Sequence, residues 1–146
     1  MSTILLTETK TAEETELLGF KLAKSLRPDD VVALYGELGS GKTCFVNGIA
    51  RGLNVLKSVK SPSFSIINEY PGNVPLFHID FYRLENTAEI EDIGWTEYLD
   101  SGGIVIIEWA ERVKNVLPSK RIDVYFQILN EVARRLEIIA VDDSGN

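Results

Sequence analysis

Short apolar runs and helically spaced apolar residues alternate along the chain, and this pattern predicts an α/β fold. Residues 4–6, 31–35 and 104–107 form apolar runs of strand length, and the first is predicted to be an edge strand. The other two runs contain no charged residue, as expected of parallel strands that are covered on both faces. Residues 44–53 place apolar side chains at helical intervals soon after the second run.

A first helix is predicted between the first two strands. Thr11 and Glu14 have the spacing of a capping box, in which Thr11 is the N-cap residue. Leu18, Leu22 and Leu26 then recur at helical spacing, and the Arg-Pro-Asp-Asp sequence that follows is expected to end the helix.

The middle of the chain predicts a hairpin and two short helices. Residues 64–70 and 74–82 are strand-like and flank a Pro-Gly-Asn turn, so we expect them to pair as a hairpin. Short helices are predicted at 88–93 and 95–99, before the apolar run that forms a central strand.

Two closing strands complete the predicted fold. Residues 122–129 and 135–141 alternate apolar and polar positions and are expected to be joined by a turn near Asn130, while residues 142–146 are expected to be a frayed tail. The order of the elements predicts a mixed, largely parallel sheet with helices on both faces.

Size and composition are those of one globular unit. At 146 residues the chain is long enough to bury a core, so residues 1–146 are predicted to form a single domain. Hydrophobic residues make up 45% and charged residues 25%, and no apolar run approaches the roughly 20 residues of a membrane span. The N-terminal sequence lacks the features of a signal peptide, and a single cysteine permits no internal disulfide, so a cytoplasmic location is expected.

The negative net charge bears on which kinds of molecule the chain can bind directly. The formal charge is −7 at pH 7, and the isoelectric point is about 4.8. Because nucleic-acid binding depends on Lys and Arg neutralising phosphates, such a surface disfavours direct binding of free nucleic acid. A role on RNA is therefore expected to act through a protein partner, with a local basic patch as the alternative.

The strongest chemical signal is a complete G-x-x-x-x-G-K-[ST] phosphate loop between the strand at 31–35 and the helix at 44–53. Its glycines allow the backbone to curl so that several N–H groups point into one concavity, at the positive end of the helix. The lysine can reach the β- and γ-phosphates of a nucleoside triphosphate, and the threonine hydroxyl can bind Mg²⁺. The residues predicted to bind the nucleotide here are Glu37, Leu38, Gly39, Ser40, Gly41, Lys42, Thr43 and Cys44.

Hydrolysis also needs a carboxylate near the metal and a group that places the nucleophile. Glu108 directly follows the apolar run at 104–107, and Asp80 lies within another predicted strand. In open α/β sheets, residues at the C-terminal ends of the strands face the ligand. Each acid also has a structural interpretation, Glu108 as a solvated acid at a helix N-terminus and Asp80 as a partner of Arg83 or His78.

Three further side chains have both a functional and a structural interpretation. Ser63, in a Ser-Pro-Ser sequence, either senses the γ-phosphate as part of a switch loop or belongs to an ordinary turn. His78, the only histidine, is interpreted as a hydrogen-bonded structural residue rather than a base. Cys44 is interpreted as a small packed residue, with a thiol pKa lowered by the helix terminus as the alternative.

Four motifs follow one another along the chain: Gly-Glu-Leu-Gly-Ser-Gly-Lys-Thr, Ser-Pro-Ser-Phe, His-Ile-Asp-Phe-Tyr-Arg-Leu and Ile-Glu-Trp. In this order they resemble the TsaE family (also called YjeE), the small ATPases of bacterial tRNA threonylcarbamoyladenosine synthesis, and the resemblance runs from about residue 11 to residue 118. The family usually has Thr in place of Ser63 and a hydroxyl amino acid in place of Cys44. Ser63 keeps the hydroxyl, whereas Cys44 loses hydrogen-bonding capacity beside the α-phosphate.

The resemblance implies a P-loop NTPase fold and slow, Mg-dependent ATP hydrolysis. It implies that Lys42 binds phosphate and that Thr43 and Glu108 hold Mg²⁺. It also implies that Asp80 supports catalysis together with these residues, and that Trp109 lies beside the nucleotide pocket. Partners of the TsaD and TsaB type would transfer the threonylcarbamoyl group next to the anticodon and would hold the tRNA, with no role for a membrane.

Three other functions are compatible with a phosphate loop. A small-molecule kinase, the main alternative, usually needs an Arg-bearing lid, but the arginines are scattered and the segment available for a lid, residues 86–95, is acidic. A GTP-binding switch commonly carries Asn-Lys-x-Asp, which does not occur here. A non-catalytic scaffold is disfavoured by the intact loop and carboxylates. The preference for adenine rests on the resemblance, and Thr11 is a provisional adenine-side contact.

Overall fold

The structure, a computed structural model, describes residues 2–55, 67–72, 74–82, 88, 90 and 94–142. The predictions made for Ser63 and for most of residues 88–93 lie outside these ranges. In chain order the described strands and α-helices are β1 (Ser2–Thr9), α1 (Ala12–Ala23), β2 (Val31–Tyr35), α2 (Lys42–Gly52), β3 (Ile67–Tyr70), β4 (Leu76–Asp80), β5 (Ile104–Glu108), β6 (Arg121–Ile128) and β7 (Arg134–Val141). Two 3₁₀ helices, Trp95–Tyr98 and Ala110–Val116, flank β5.

The seven described strands form one mixed sheet in the order β1-β7-β6-β2-β5-β4-β3. The four central strands, β6, β2, β5 and β4, run parallel to one another. Antiparallel pairs extend this centre, with β7 and β1 beyond β6 and with β3 beyond β4. The predicted α/β fold is confirmed, as are the edge position of β1, the hairpin of β3 and β4, and the two closing strands.

The two faces of the sheet are covered in different ways. Both α-helices pack on one face, over a cluster that includes Leu34, Ile106 and Val124. The 3₁₀ helices cover the other face through residues such as Trp95 and Val113. Helical turns therefore lie on both faces, as predicted, and those described on the second face are short. Among the described helices, none has the length and apolar character needed to cross a membrane.

The first helix begins where the capping box predicts and ends earlier than the leucine spacing predicts. Thr11 Oγ1 accepts a hydrogen bond of 3.1 Å from the Glu14 N–H, and the Glu14 carboxylate accepts one of 2.8 Å from the Lys10 N–H. The helix ends at Ala23, and the Leu26 N–H then bonds to the Ala23 carbonyl three residues back. This tighter turn still lets Leu26 pack on the core, so helical spacing alone misplaces the helix end.

Helices α1 and α2 pack with their backbones in close contact. A Cβ atom added to Gly48 would lie 1.8 Å from the carbonyl oxygen of Glu16, and one added to Gly19 would lie 2.2 Å from the carbonyl oxygen of Phe45. Both obstructing atoms belong to the backbone, so only glycine permits this approach. Because α2 begins at Lys42, the contact fixes the loop before α2 relative to the N-terminal helix.

Candidate functional site

The phosphate loop joins the C-terminal end of β2 to the first turn of α2. Gly36 and Gly41 have positive φ angles of 153° and 102°, and Gly41 caps the helix in the left-handed conformation. A Cβ atom on Gly36 would lie 2.8 Å from Ser40 Oγ and 3.0 Å from Phe126 Cβ, so the loop closes tightly against β6. The helix begins at Lys42, two residues before its predicted start, which directs its first N–H groups toward the loop.

Lys42 is buried at the start of α2, with only 4% of its surface exposed. Its ammonium group donates a hydrogen bond to the carbonyl oxygen of Gly36 and lies 3.8 Å from the ring centroid of Trp109. Burial lowers the pKa of Lys42, and nearby carboxylates, first of all Glu108, act in the opposite direction. The lysine of the loop therefore has an aromatic ring and acidic groups as neighbours.

Two carboxylates meet at the ends of adjacent parallel strands. Asp80 is the last residue of β4 and Glu108 is the last residue of β5, and the two are paired in the register of the sheet. Glu108 is buried, whereas Asp80 is partly buried and accepts a hydrogen bond of 2.9 Å from the Tyr82 N–H. Burial raises the pKa of Asp80, and the negative charge of Glu108 adds to this effect. The structure thus brings together the three side chains that were predicted to be catalytic: Lys42, Asp80 and Glu108.

His78 contacts this group of residues from inside the sheet. Its ring is fully buried, and Nε2 lies 2.5 Å from Glu108 Oε2. The other ring nitrogen, Nδ1, is also buried and has no hydrogen-bond partner within the described part of the chain. From the sequence, His78 is interpreted only as a structural residue. The spacing of His78 and Asp80 could have indicated its position near the site, because residues two apart in a strand lie on the same face of the sheet.

Trp109 lies beside the phosphate loop and contacts its lysine. Its φ angle is 60°, a left-handed conformation that costs a residue with a side chain about 1–2 kcal/mol. This conformation places the indole ring over the Lys42 ammonium group and 4.9 Å from the ring of Tyr82, measured between centroids. The strained backbone of Trp109 therefore lies next to the lysine of the phosphate loop.

The start of α1 lies next to the start of α2. Cys44 Sγ lies 3.2 Å from the carbonyl oxygen of Ala12, the residue after Thr11, so exposed Thr11 is at the rim of the loop region. Burial raises the pKa of Cys44, and the carboxylates of Glu16 and Glu13 raise it further. This direction is opposite to the alternative of a lowered thiol pKa, because burial and the nearby acids disfavour the thiolate.

Arg134, at the start of β7, is a loop contact that sequence analysis did not single out. Its Nη2 atom donates a hydrogen bond of 3.0 Å to the carbonyl oxygen of Gly39 at the tip of the phosphate loop. Its Nη1 atom donates bonds of 2.7 and 2.9 Å to the carbonyl oxygens of Asn130 and Ala133. The turn between β6 and β7 is thereby tied to the phosphate loop. No local pattern predicts a contact between residues this far apart in the chain.

The donors at this end of the sheet fit Mg²⁺. The candidate ligands, the Thr43 hydroxyl and the Glu108 carboxylate, offer oxygen atoms, which are the ligands that Mg²⁺ prefers. Magnesium usually keeps several waters and uses substrate phosphates with only one or two protein carboxylates. The described residues contain no cluster of three or more His, Cys, Asp or Glu side chains that could enclose a metal ion.

A parallel sheet centre, in which one strand leads through a glycine-rich phosphate loop into an α-helix, defines the class of P-loop α/β proteins. Comparison with known proteins gives the family. The family model described as "Threonylcarbamoyl adenosine biosynthesis protein TsaE" matches residues 9–136. The chain belongs to the TsaE family, which confirms the recognition based on the four motifs.

Individual relatives agree with this assignment. A protein from Bacillus subtilis (strain 168) is 39% identical over 130 residues, which cover 88% of this chain and 81% of that protein. One from Treponema pallidum is 35% identical over 129 residues, covering 88% of this chain and 96% of that protein. Both are described as tRNA threonylcarbamoyladenosine biosynthesis protein TsaE. The crystal structure of Bacillus subtilis YdiB is similar with a TM-score of 0.83 and 33% identity, covering 99% of this chain and 90% of that one.

Proposed function

We propose that the chain binds ATP with Mg²⁺, hydrolyses it slowly and thereby drives a step in the threonylcarbamoyladenosine modification of tRNA. Membership in the TsaE family supports the role in this modification. One observation carries the ATPase proposal. Lys42, at the start of α2, lies at the same end of the sheet as Asp80 and Glu108, which end neighbouring parallel strands.

The phosphate loop supplies the binding groups in this proposal. The backbone N–H groups of the loop and the Lys42 ammonium group bind the β- and γ-phosphates. Ser40 Oγ is buried and has no hydrogen-bond partner among the described residues, and a phosphate oxygen would be an acceptor for it. Thr11 lies at the rim, where the base would contact the protein, whereas the Trp109 ring lies against the Lys42 ammonium group, beside the phosphates.

Glu108 and Asp80 have different roles in this proposal. Glu108 holds Mg²⁺ together with the Thr43 hydroxyl, and the ion, when bound, neutralises charge that develops on the phosphate oxygens. Asp80 orients the attacking water and accepts its proton. Its raised pKa makes the ionised carboxylate a better proton acceptor than an ordinary aspartate.

The charge of the chain supports a partner-coupled role. With a net charge of −7, the surface is unsuited to holding an anionic tRNA by itself. We therefore propose that partners of the TsaD and TsaB type hold the tRNA and transfer the threonylcarbamoyl group. In this scheme the present chain supplies a nucleotide-dependent conformational or release step.

The experiment that tests the proposal is phosphate release from ATP and from GTP, with and without the TsaD and TsaB pair. We expect ATP-selective release that the partners increase. Lys42→Ala should abolish it because it removes the phosphate-binding charge, whereas Lys120→Ala, a change at an exposed lysine, should not. Full turnover by Lys42→Ala would reject this loop as the site. Slow release unaffected by the partners would favour a small-molecule kinase and call for a screen of phosphate acceptors.

A further inference from the structure

His78 is a polar ring in an apolar part of the sheet. It lies in the middle of β4, opposite Ile106 of β5, and its side chain is fully buried. On β4 and β5 its neighbours on the same face, Leu76, Ile104 and Ile106, are buried aliphatic residues, and on β3 it lies opposite the half-buried Asn68. An aliphatic residue at position 78 would fill the core without desolvating two ring nitrogens. Packing alone therefore does not account for a histidine at this position.

The hydrogen bonds of the ring are directed at one residue. Nε2 lies 2.5 Å from Glu108 Oε2, whereas Nδ1 is buried and finds no partner within the described ranges. An ionised carboxylate can only accept hydrogen bonds, so the ring donates through Nε2. A ring that served mainly to satisfy the core would be expected to use both nitrogens. Among the described residues, the hydrogen bond that the ring makes is to Glu108.

This bond restrains a carboxylate that otherwise lies at the very end of a strand. Because the bond engages Oε2 of Glu108, Oε1 is the oxygen that would bind a metal ion. Partners behind a metal ligand commonly fix its orientation in this way, and their loss weakens metal binding by about 10–100-fold. We propose that His78 is a positioning residue, which holds Glu108 in the orientation that binds the Mg²⁺ of the nucleotide complex. This inference rests on the proposed function.

The test compares two substitutions at position 78 by metal affinity rather than by turnover. His78→Leu fills a similar volume without a donor, whereas His78→Gln places an amide N–H where Nε2 lies. The readout is binding of a fluorescent, non-hydrolysable ATP analogue during a Mg²⁺ titration, and also in EDTA. We expect His78→Leu to raise, by about tenfold or more, the Mg²⁺ concentration at which the metal-dependent change in analogue binding is half complete. In EDTA, the affinity of His78→Leu for the analogue should stay within about twofold of the wild-type affinity. His78→Gln should recover most of the wild-type response to Mg²⁺.

A matched control separates positioning from packing. Ile106→Val changes the buried register partner of His78 on the same face of the sheet, without removing a group that contacts Glu108. It should lower the melting temperature and leave the Mg²⁺ titration unchanged. If His78→Leu does not fold, His78→Asn replaces it, because the shorter amide cannot reproduce the Nε2 contact and should show the same shift.

The outcomes distinguish this inference from the function on which it rests. A wild-type chain that fails to bind the analogue, or binds it without any response to Mg²⁺, would reject the proposed function. A wild-type chain that responds to Mg²⁺, together with a folded His78→Leu or His78→Asn variant that responds in the same way, would overturn the positioning role alone. A shift that Ile106→Val reproduces would also overturn it, because general loosening of the core would then be the cause.

Discussion

Replacing Gly48 by alanine tests the close approach of the two α-helices on which the loop depends. The added Cβ atom would lie 1.8 Å from the carbonyl oxygen of Glu16 and 2.9 Å from the backbone nitrogen of Phe20, whereas ordinary contact begins near 3.4 Å. Both obstructing atoms belong to the backbone of α1, so no side-chain rotation relieves the overlap. The helices must move apart, and α2 would carry Lys42 with it.

Two effects of opposite sign determine how much Gly48→Ala changes the free energy of unfolding. Alanine is favoured over glycine inside a helix by about 1 kcal/mol. Overpacking of a close-packed interior costs about 1–3 kcal/mol, and the backbone obstruction places Gly48 at the upper end of this range. We therefore expect Gly48→Ala to lower the free energy of unfolding by about 2 kcal/mol. For a chain of this length, such a loss lowers the melting temperature by about 4–8 °C.

Thermal unfolding followed by circular dichroism measures this effect, with Gly72→Ala as the matched control. Among the described residues, a Cβ atom on Gly72 would meet the carbonyl oxygen of Val74 at 3.6 Å, an ordinary contact, so the control should change the melting temperature by no more than about 2 °C. Binding of an ATP analogue is the second readout, since displacement of α2 should weaken it. A Gly48→Ala variant as stable as the wild type would show that the helices do not approach as closely as described.

Three further substitutions test separate parts of the site. Glu108→Ala should raise the Mg²⁺ requirement of ATP hydrolysis by about tenfold or more, and an unchanged metal titration would move the metal-binding role to Asp80. Asp80→Asn should stabilise the fold near pH 7, because burial raises the pKa of Asp80 and the folded state therefore disfavours its ionised form. This gain should vanish below about pH 4, where the aspartate is protonated in both states, and a gain that persists in acid unfolding measurements contradicts this cause. Arg134→Ala removes the hydrogen bond to Gly39 and should weaken binding of an ATP analogue by about fivefold, so an unchanged titration would show that the loop is held without it.

The centre of the fold and the phosphate loop could be predicted because their signals are local. The apolar runs at 31–35 and 104–107 became β2 and β5, which are buried on both faces in the middle of the sheet. The capping box placed the start of α1 correctly because Thr11 and Glu14 satisfy the first N–H groups by themselves. The loop glycines needed no tertiary information, since their spacing already encodes the turn into α2.

The rest of the site depends on which strands become neighbours. Asp80 and Glu108 lie side by side only because β4 and β5 are adjacent and in register. The contact of Arg134 with Gly39 joins segments 95 residues apart, and no local pattern in either segment predicts it. His78 was given a structural role because a lone histidine in a strand has no local feature that distinguishes a core residue from one that contacts a carboxylate.

In the proposed nucleotide complex, the contacts of Lys42 affect how long the nucleotide stays bound. The ammonium group already donates to the Gly36 carbonyl and lies against the Trp109 ring, so a phosphate must compete with both groups. Binding is then an exchange of partners, and only the difference in free energy contributes to affinity. Such an exchange favours short residence times, because the protein itself supplies the groups that replace a departing phosphate. A site of this kind is suited to a cycle in which a partner, rather than tight binding, decides when the nucleotide is retained.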